Sequence, residues 1–343
     1  MRGPHFSLPG RPRSSGRTDG CIADINNLRV QSVTKFEQVC TELFVSPCVV
    51  VDVGASGGVG ELRGFAGLCE VHASEPRLDS FSAMEEAAPD SPYAKFRSYD
   101  KGLARTAGIH TLYVTRIPEA SSLYPPNMEI VSRWRNDGIF DVVAEVPIQC
   151  ITLEQMLVQG EVKYVDLIKI DTQGSELDIL LAGGEYLQKI SVIKCEVEFV
   201  ELYKGQPLFD DVVRELSARG FRYVGLFDGH VYVGKNIWGD AIFVKKRFED
   251  RDQLIKAAAI LINEGYYEDA RWLFLDHAEP IETFKLMVDA HVLDSHPNAL
   301  FYKRANDILR SVGKKVPLLE KVRVLLSKWI RRTKLGRISA HMR

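Results

Sequence analysis

Lys169 and Asp171 stand two apart in the apolar run Leu167-Ile168-Lys169-Ile170-Asp171, and Glu196 and Glu198 stand two apart in the next such run, Val192 to Phe199. Successive side chains of a strand point to opposite faces, so each pair shares a face. An unpaired charge is costly to bury, so Lys169 needs an acidic neighbour, and Glu196 or Glu198 is a candidate. Carboxylates gathered at a crevice are the usual general bases, and transfer of a group to a hydroxyl needs one, because a protonated alcohol is a poor nucleophile. The same residues also fit a structural ion-pair network. Asp171, Glu196 and Glu198 together could offer oxygen ligands to Mg²⁺, but no metal is expected, because sequence spacing does not make the three converge.

A second constellation lies in Val49-Val50-Val51-Asp52-Val53-Gly54-Ala55-Ser56-Gly57-Gly58-Val59-Gly60, where a β-branched strand ends directly in a glycine-rich turn. Glycine has no Cβ, so such a turn takes positive φ and lets a nucleotide-like ligand approach the main chain. Twenty-one residues past Gly54, a short apolar stretch ends in Glu75, and an acidic residue at that distance can take both hydroxyls of a ribose. Ser56 breaks the Gly-x-Gly-x-x-Gly spacing of a dinucleotide site, and Arg63 breaks it in the frame that starts at Gly58. That disfavours a nicotinamide-dependent oxidoreductase and favours a methyl-donor fold, for which Asp52 just before the turn is also a trait.

Positioning these residues requires strands and helices in alternation. Leu78 to Ala88 reads as a helix stopped by Pro89, Lys95 to Tyr99 as a third strand, and Leu208 to Ala218 as a helix ending at Gly220. Strands at Arg222 to Leu226 and Ala241 to Val244 suit an antiparallel edge. The pattern predicts a doubly wound, mostly parallel sheet, with Asp52, Glu75, Asp100, Asp171 and Glu198 at the carboxyl ends of strands, where such sheets bind ligands. An amphipathic helix is expected within Asn26 to Phe44, leading into the first strand. Between strands at His110 to Thr115 and Val142 to Ile148 lies Ser121-Ser122-Leu123-Tyr124-Pro125-Pro126, followed by Arg133-Trp134-Arg135. This segment is either a lid over the site or a surface excursion without a role.

The 343 residues carry a formal net charge of −2, which argues against a nucleic-acid binder as a whole. Six scattered cysteines form no Cys-x-x-Cys pair and read as reduced thiols of a cytoplasmic protein. No apolar run approaches the ~18 residues needed to cross a bilayer. Residues 1–22 read as a disordered basic arm without the apolar core of a secretion signal. Residues 23–247 read as the ligand-binding domain. Residues 248–343 read as a helical appendage whose basic amphipathic tail, after Gly313, is expected to meet an anionic membrane surface or a protein partner.

From roughly Cys48 to Val244 the chain resembles the FkbM-type family of S-adenosylmethionine-dependent methyltransferases. The matching segments are Val51 to Ala55, Ser121 to Leu123, Val146 to Leu157, Asp166 to Leu177, Glu196 to Phe199, Leu202 to Gln206 and Gly239 to Val244. The resemblance implies a seven-stranded class I methyltransferase (Rossmann-like) sheet. It also implies O-methylation of a sugar, glycan or hydroxylated natural product, with S-adenosyl-L-methionine as cofactor. It places Asp52 and Gly54, with Ser56 on the same turn, at the methionine end, Glu75 at the ribose, Asp100 and Leu103 at the adenine, and Asp171 facing the reacting methyl. Asp171, Glu198 and Lys169 are then the catalytic candidates, while Ser122, Arg133, Arg135 and Glu196 are the acceptor-binding ones. The alternative is a cofactor-binding scaffold without catalysis, whose helical tail binds a partner.

Overall fold

The structure, a computed structural model, describes residues 33–56, 59–134, 138–232 and 235–295. Arg135, the basic arm and the basic tail lie outside the described residues. In chain order come α1 (Lys35–Leu43), β1 (Cys48–Val53), β2 (Cys69–Ser74), α2 (Leu78–Ala87), β3 (Lys95–Tyr99), β4 (Gly102–Leu103), β5 (Gly108–Thr115), α3 (Met128–Trp134), β6 (Val142–Ile151) and α4 (Leu153–Gln159). They are followed by β7 (Val165–Ile170), α5 (Glu176–Leu181), β8 (Ile190–Glu198), α6 (Phe209–Ala218), β9 (Phe221–Tyr232), β10 (Lys235–Lys245), α7 (Arg251–Asn263), α8 (Tyr267–Asp276) and α9 (Ile281–Ser295).

Seven strands form one sheet in the order β3-β2-β1-β7-β8-β10-β9. The first five are parallel, and β10 inserts between β8 and β9, antiparallel to both. This is the doubly wound, mostly parallel class I methyltransferase arrangement. β1 and β7 are apolar along almost their whole length because helices cover both faces. On one face Val50, Val71, Leu167, Val192 and Val244 pack with α1 and α7 to α9. On the other, Val51, Val53, Ile168, Ile170 and Ile193 pack with α4, α5 and α6.

The helices from residue 248 onward share that first core with the sheet. Every residue from Leu254 to Ile262 of α7 is buried. α7 is seated by Lys256, 2% exposed, whose Nζ donates to Ser46 Oγ at 2.7 Å and to the Pro47 carbonyl at 3.0 Å. The same ammonium pairs with Asp252 at 2.7 Å and Asp166 at 3.6 Å. A three-stranded sheet, β4-β6-β5, stands beside the main one, and the two-residue strand β4 joins it to the end of β3. Among the described residues no helix is long and apolar enough to cross a membrane.

The register between β1 and β7 sets Asp52 directly beside Lys169. Lys169 Nζ lies 3.6 Å from Asp52 Oδ1 and 3.6 Å from Asp171 Oδ2. Its partners are therefore these two aspartates and not Glu196 or Glu198, because the β7–β8 register puts Lys194 opposite Lys169. Lys194 in turn pairs with Glu61 at 3.1 Å and Glu264 at 3.4 Å. Burial pushes the Asp52 carboxyl up to about 6, and the Lys169 charge offsets only part of that. Burial lowers the Lys169 ammonium, but Asp52 and Asp171 more than compensate and leave it raised.

Two stability tests follow from this packing. Lys256→Met leaves Asp166 buried without its cation and is expected to cost about 3–5 kcal/mol in denaturant unfolding; a loss within error of zero contradicts the pairing. Because Asp52 titrates higher folded than unfolded, its carboxyl favours folding at low pH, and that contribution is lost as pH rises through about 6. Relative to Asp52→Asn, the native chain is expected to lose about 2 kcal/mol between about pH 4 and about pH 7. A difference that stays flat, or grows in favour of the native chain, contradicts the burial of that carboxyl.

Candidate active site

β1 stops at Val53, and Gly54 turns the chain with φ +81°. A Cβ on Gly54 would stand 2.1 Å from the Asp171 carbonyl oxygen, so glycine is required first by the close passage of the β7 end, before any ligand is considered. The same turn is held by the Gly54 N–H, which donates to the Ser74 carbonyl at the end of β2 at 3.0 Å. The ends of β1, β2 and β7 are thereby drawn together, and a crevice of ≈ 620 Å³, counting its open mouth, lies beyond them.

Of the residues singled out from the sequence, Gly54, Ser56, Glu75, Leu103, Ser122 and Asp171 line this crevice. Glu75 is 3% exposed, accepts the Arg77 N–H at 2.8 Å, and is pushed up by burial. Leu103, Leu112 and Ile148 form an apolar wall contributed by the small sheet, facing Pro76 and Arg77. The crevice thus offers an acidic group at the end of β2, an apolar wall, and the polar groups of Ser56 and Asp171. This set of groups fits a nucleoside carrying a polar tail.

The other expected residues do not line it. Asp52 is buried beneath the turn with Lys169, behind the crevice lining. Asp100 is exposed in the bend between β3 and β4, because the chain leaves β3 to join the small sheet and carries that side chain outward. Arg133 is exposed on α3 and pairs with Glu129 at 2.8 Å, one helical turn away. Glu198 is 1% exposed and its carboxyl is pushed well up by burial and by Glu176 and Asp171. Glu196 is only partly covered; its carboxyl too is pushed well up, by burial and then by Asp171 and Glu198. Among the described residues no three His, Cys, Asp or Glu side chains are arranged to hold a metal ion.

Gln173 and Glu176, given no role from the sequence, complete the site together with the expected Ser122. Gln173 Nε2 donates to Asp171 Oδ1 at 2.9 Å and to Glu196 Oε1 at 2.9 Å. Glu176, at the start of α5, accepts the backbone N–H groups of Thr172 at 2.7 Å and Gly174 at 2.9 Å, which fixes the turn leading out of β7. Burial pushes the Glu176 carboxyl up to about 7 against those hydrogen bonds. Ser121 to Leu123 form one rim, where Ser122 Oγ donates to the Gln173 carbonyl at 2.6 Å and accepts the Tyr124 N–H at 3.0 Å. A signal for these residues was present in Thr172-Gln173-Gly174, a turn straight after a charged strand end, but their partners are distant in sequence.

Residues 52–223, about half of the chain, match the family model of the methyltransferase FkbM domain. No curated protein matches the chain. Among solved structures, the chain is similar to the methyltransferase FkbM from Methylobacillus flagellatus KT, at 13% identity and a TM-score of 0.38, over 58% of this chain and 43% of that one. It is also similar to an rRNA methylase from Streptococcus thermophilus, at 10% identity and a TM-score of 0.30, over 62% and 94% of the two chains. Magnesium protoporphyrin IX methyltransferase from Synechocystis PCC 6803, solved with bound SAM, matches at 8% identity and a TM-score of 0.32, over 61% and 76%. With the family model spanning the glycine turn, the end of β7 and the rim between them, the chain belongs to the FkbM family of S-adenosylmethionine-dependent methyltransferases.

Proposed function

We propose that the chain is an O-methyltransferase acting on a hydroxyl of a sugar, glycan or hydroxylated natural product, with Asp171 as the base that takes the hydroxyl proton. The observation that carries this reading is that Asp171 lines the crevice while its carboxylate is held on one side by Lys169 at 3.6 Å and on the other by Gln173 at 2.9 Å. S-adenosylmethionine supplies a methyl group on a sulfonium, which an oxygen nucleophile attacks in line. The residues around it then have to orient the acceptor, exclude water and remove one proton. Orientation of two reactants in one site can contribute several powers of ten to the rate.

In this reading Glu75 takes the ribose, Gly54 and Ser56 the methionine end, and the wall at Leu103 the adenine. Lys169, 3.6 Å away, holds the Asp171 carboxylate in place, as the positioning of a base requires. Ser122 and Glu196 stand on the acceptor side of Asp171, and the rim from Ser121 to Leu123 closes the site against water. Residues 23–247 supply this machinery and the helices from 248 onward back the sheet. The basic tail after Gly313 serves contact with an anionic surface or partner and takes no part in the chemistry.

The test is transfer of labelled methyl from S-adenosylmethionine to a panel of sugars, glycans and hydroxylated natural products. Asp171→Asn keeps size and hydrogen bonding, so S-adenosylhomocysteine affinity is expected to hold while methyl transfer falls by roughly 10² to 10⁴. Glu75→Ala should do the reverse in calorimetry, weakening cofactor binding by ~1.5 to 3 kcal/mol. An Asp171→Asn variant that binds cofactor poorly yet turns over normally once saturated contradicts the base assignment.

A further inference from the structure

Gln173 follows Asp171 by two residues yet does not simply point into solvent. Its backbone takes φ +59°, a left-handed conformation uncommon outside glycine, and Gly174 continues the turn at φ +104°. For a residue with a Cβ, such as Gln173, this conformation is strained and persists where surrounding contacts over-determine it. Here the contacts are identifiable. The side-chain nitrogen lies 2.9 Å from both Asp171 Oδ1 and Glu196 Oε1, and the side-chain oxygen lies 2.8 Å from the Tyr203 hydroxyl. The two carboxyl oxygens orient the amide, because its two N–H groups must meet them, and this leaves its carbonyl toward the Tyr203 hydroxyl, whose single proton is shared between it and the Ala120 carbonyl.

Tyr203 is fully buried in the cluster that joins the rim to the loop after β8, packed with Ala120, Val131 and Phe140. Its hydroxyl also lies 2.9 Å from the Ala120 carbonyl, and the Gln173 carbonyl accepts Ser122 Oγ from the same rim. Gln173 is therefore held at its backbone carbonyl by Ser122 and at its side-chain oxygen by Tyr203, while its amide nitrogen grips Asp171. We propose that Gln173 is the positioning residue for Asp171, holding its carboxylate at a fixed distance from Glu196, and that Tyr203 sets the Gln173 amide and so acts on Asp171 only through it.

The inference rests on the reading of Asp171 as the base, but its test needs no acceptor. Selective ¹³C labelling of aspartate carboxyl groups in the full chain gives an Asp171 resonance, assigned by its loss in Asp171→Asn. Gln173→Leu removes the amide and is expected to shift that resonance in a chain that still binds S-adenosylhomocysteine. Gln173→Glu, which keeps the shape and removes the donor, is expected to shift it as well and carries the test if the leucine variant does not fold. Tyr203→Phe should shift it in the native background and leave it unmoved when Gln173 is already leucine or glutamate. The proposal is overturned if both Gln173 variants leave the resonance in place, or if Tyr203→Phe moves it equally with and without the amide. It is also overturned if every shift comes with loss of S-adenosylhomocysteine binding, since Gln173 then supports the crevice as a whole. Turnover of Asp171→Asn decides separately whether Asp171 is the base.

Discussion

The ammonium of Lys169, 3.6 Å from Asp52 and 3.6 Å from Asp171, is the interaction on which the site depends. It sits in a buried central strand, where a charge is tolerated only with a counter-charge at hand. Two carboxylates supply that, one from the neighbouring strand and one from the strand's own end. The arrangement leaves Asp52 inside the sheet and Asp171 at its rim, so one cation anchors a buried group and an accessible one at the same time. Replacing such a pair with apolar residues can leave stability intact, but it removes the charge that fixes Asp171.

The carboxyl ends of β1 and β7 meet closely because Gly54 has no side chain to separate them, and every later feature of the crevice is hung from that contact. The β7 end passes within 2.1 Å of where a Cβ on Gly54 would be. Past Asp171, Thr172 and Gly174 donate to Glu176, which turns the chain into α5 and leaves Gln173 facing the carboxylates. The small sheet then closes the crevice from the side, with its apolar wall at Leu103, Leu112 and Ile148. Two sheets of different architecture thus share one crevice, the first bringing polar groups and the second an apolar face.

Period-two alternation and the glycine turn were enough to read the order of strands and helices, and to put Gly54, Glu75 and Asp171 at strand ends. Those are properties of local sequence. Register is not, and so a partner of Lys169 was sought on β8, whereas Asp171 at the end of its own strand and Asp52 on β1, more than a hundred residues away, supply the charges. Asp100 was expected at the crevice from its place after β3, but the short strand β4 turns the chain aside just there, and a two-residue strand leaves no periodic signal. The helices from 248 read as an appendage from their change of texture, and helices α7 to α9 are present there; what the sequence did not show is their packing partner. An all-buried stretch such as Leu254 to Ile262 shows its partner only once the sheet is assembled. Gln173 and Tyr203 are thirty residues apart and meet only through the fold.

The most direct test of the account is a crystal structure of the full chain with S-adenosylhomocysteine bound. The account requires the ribose hydroxyls at the Glu75 carboxylate, the adenine against Leu103 and the sulfur turned toward Asp171, with Lys169 still between Asp52 and Asp171. Density for the ligand on the far side of the sheet, or in the crevice with its sulfur directed away from Asp171, would contradict it.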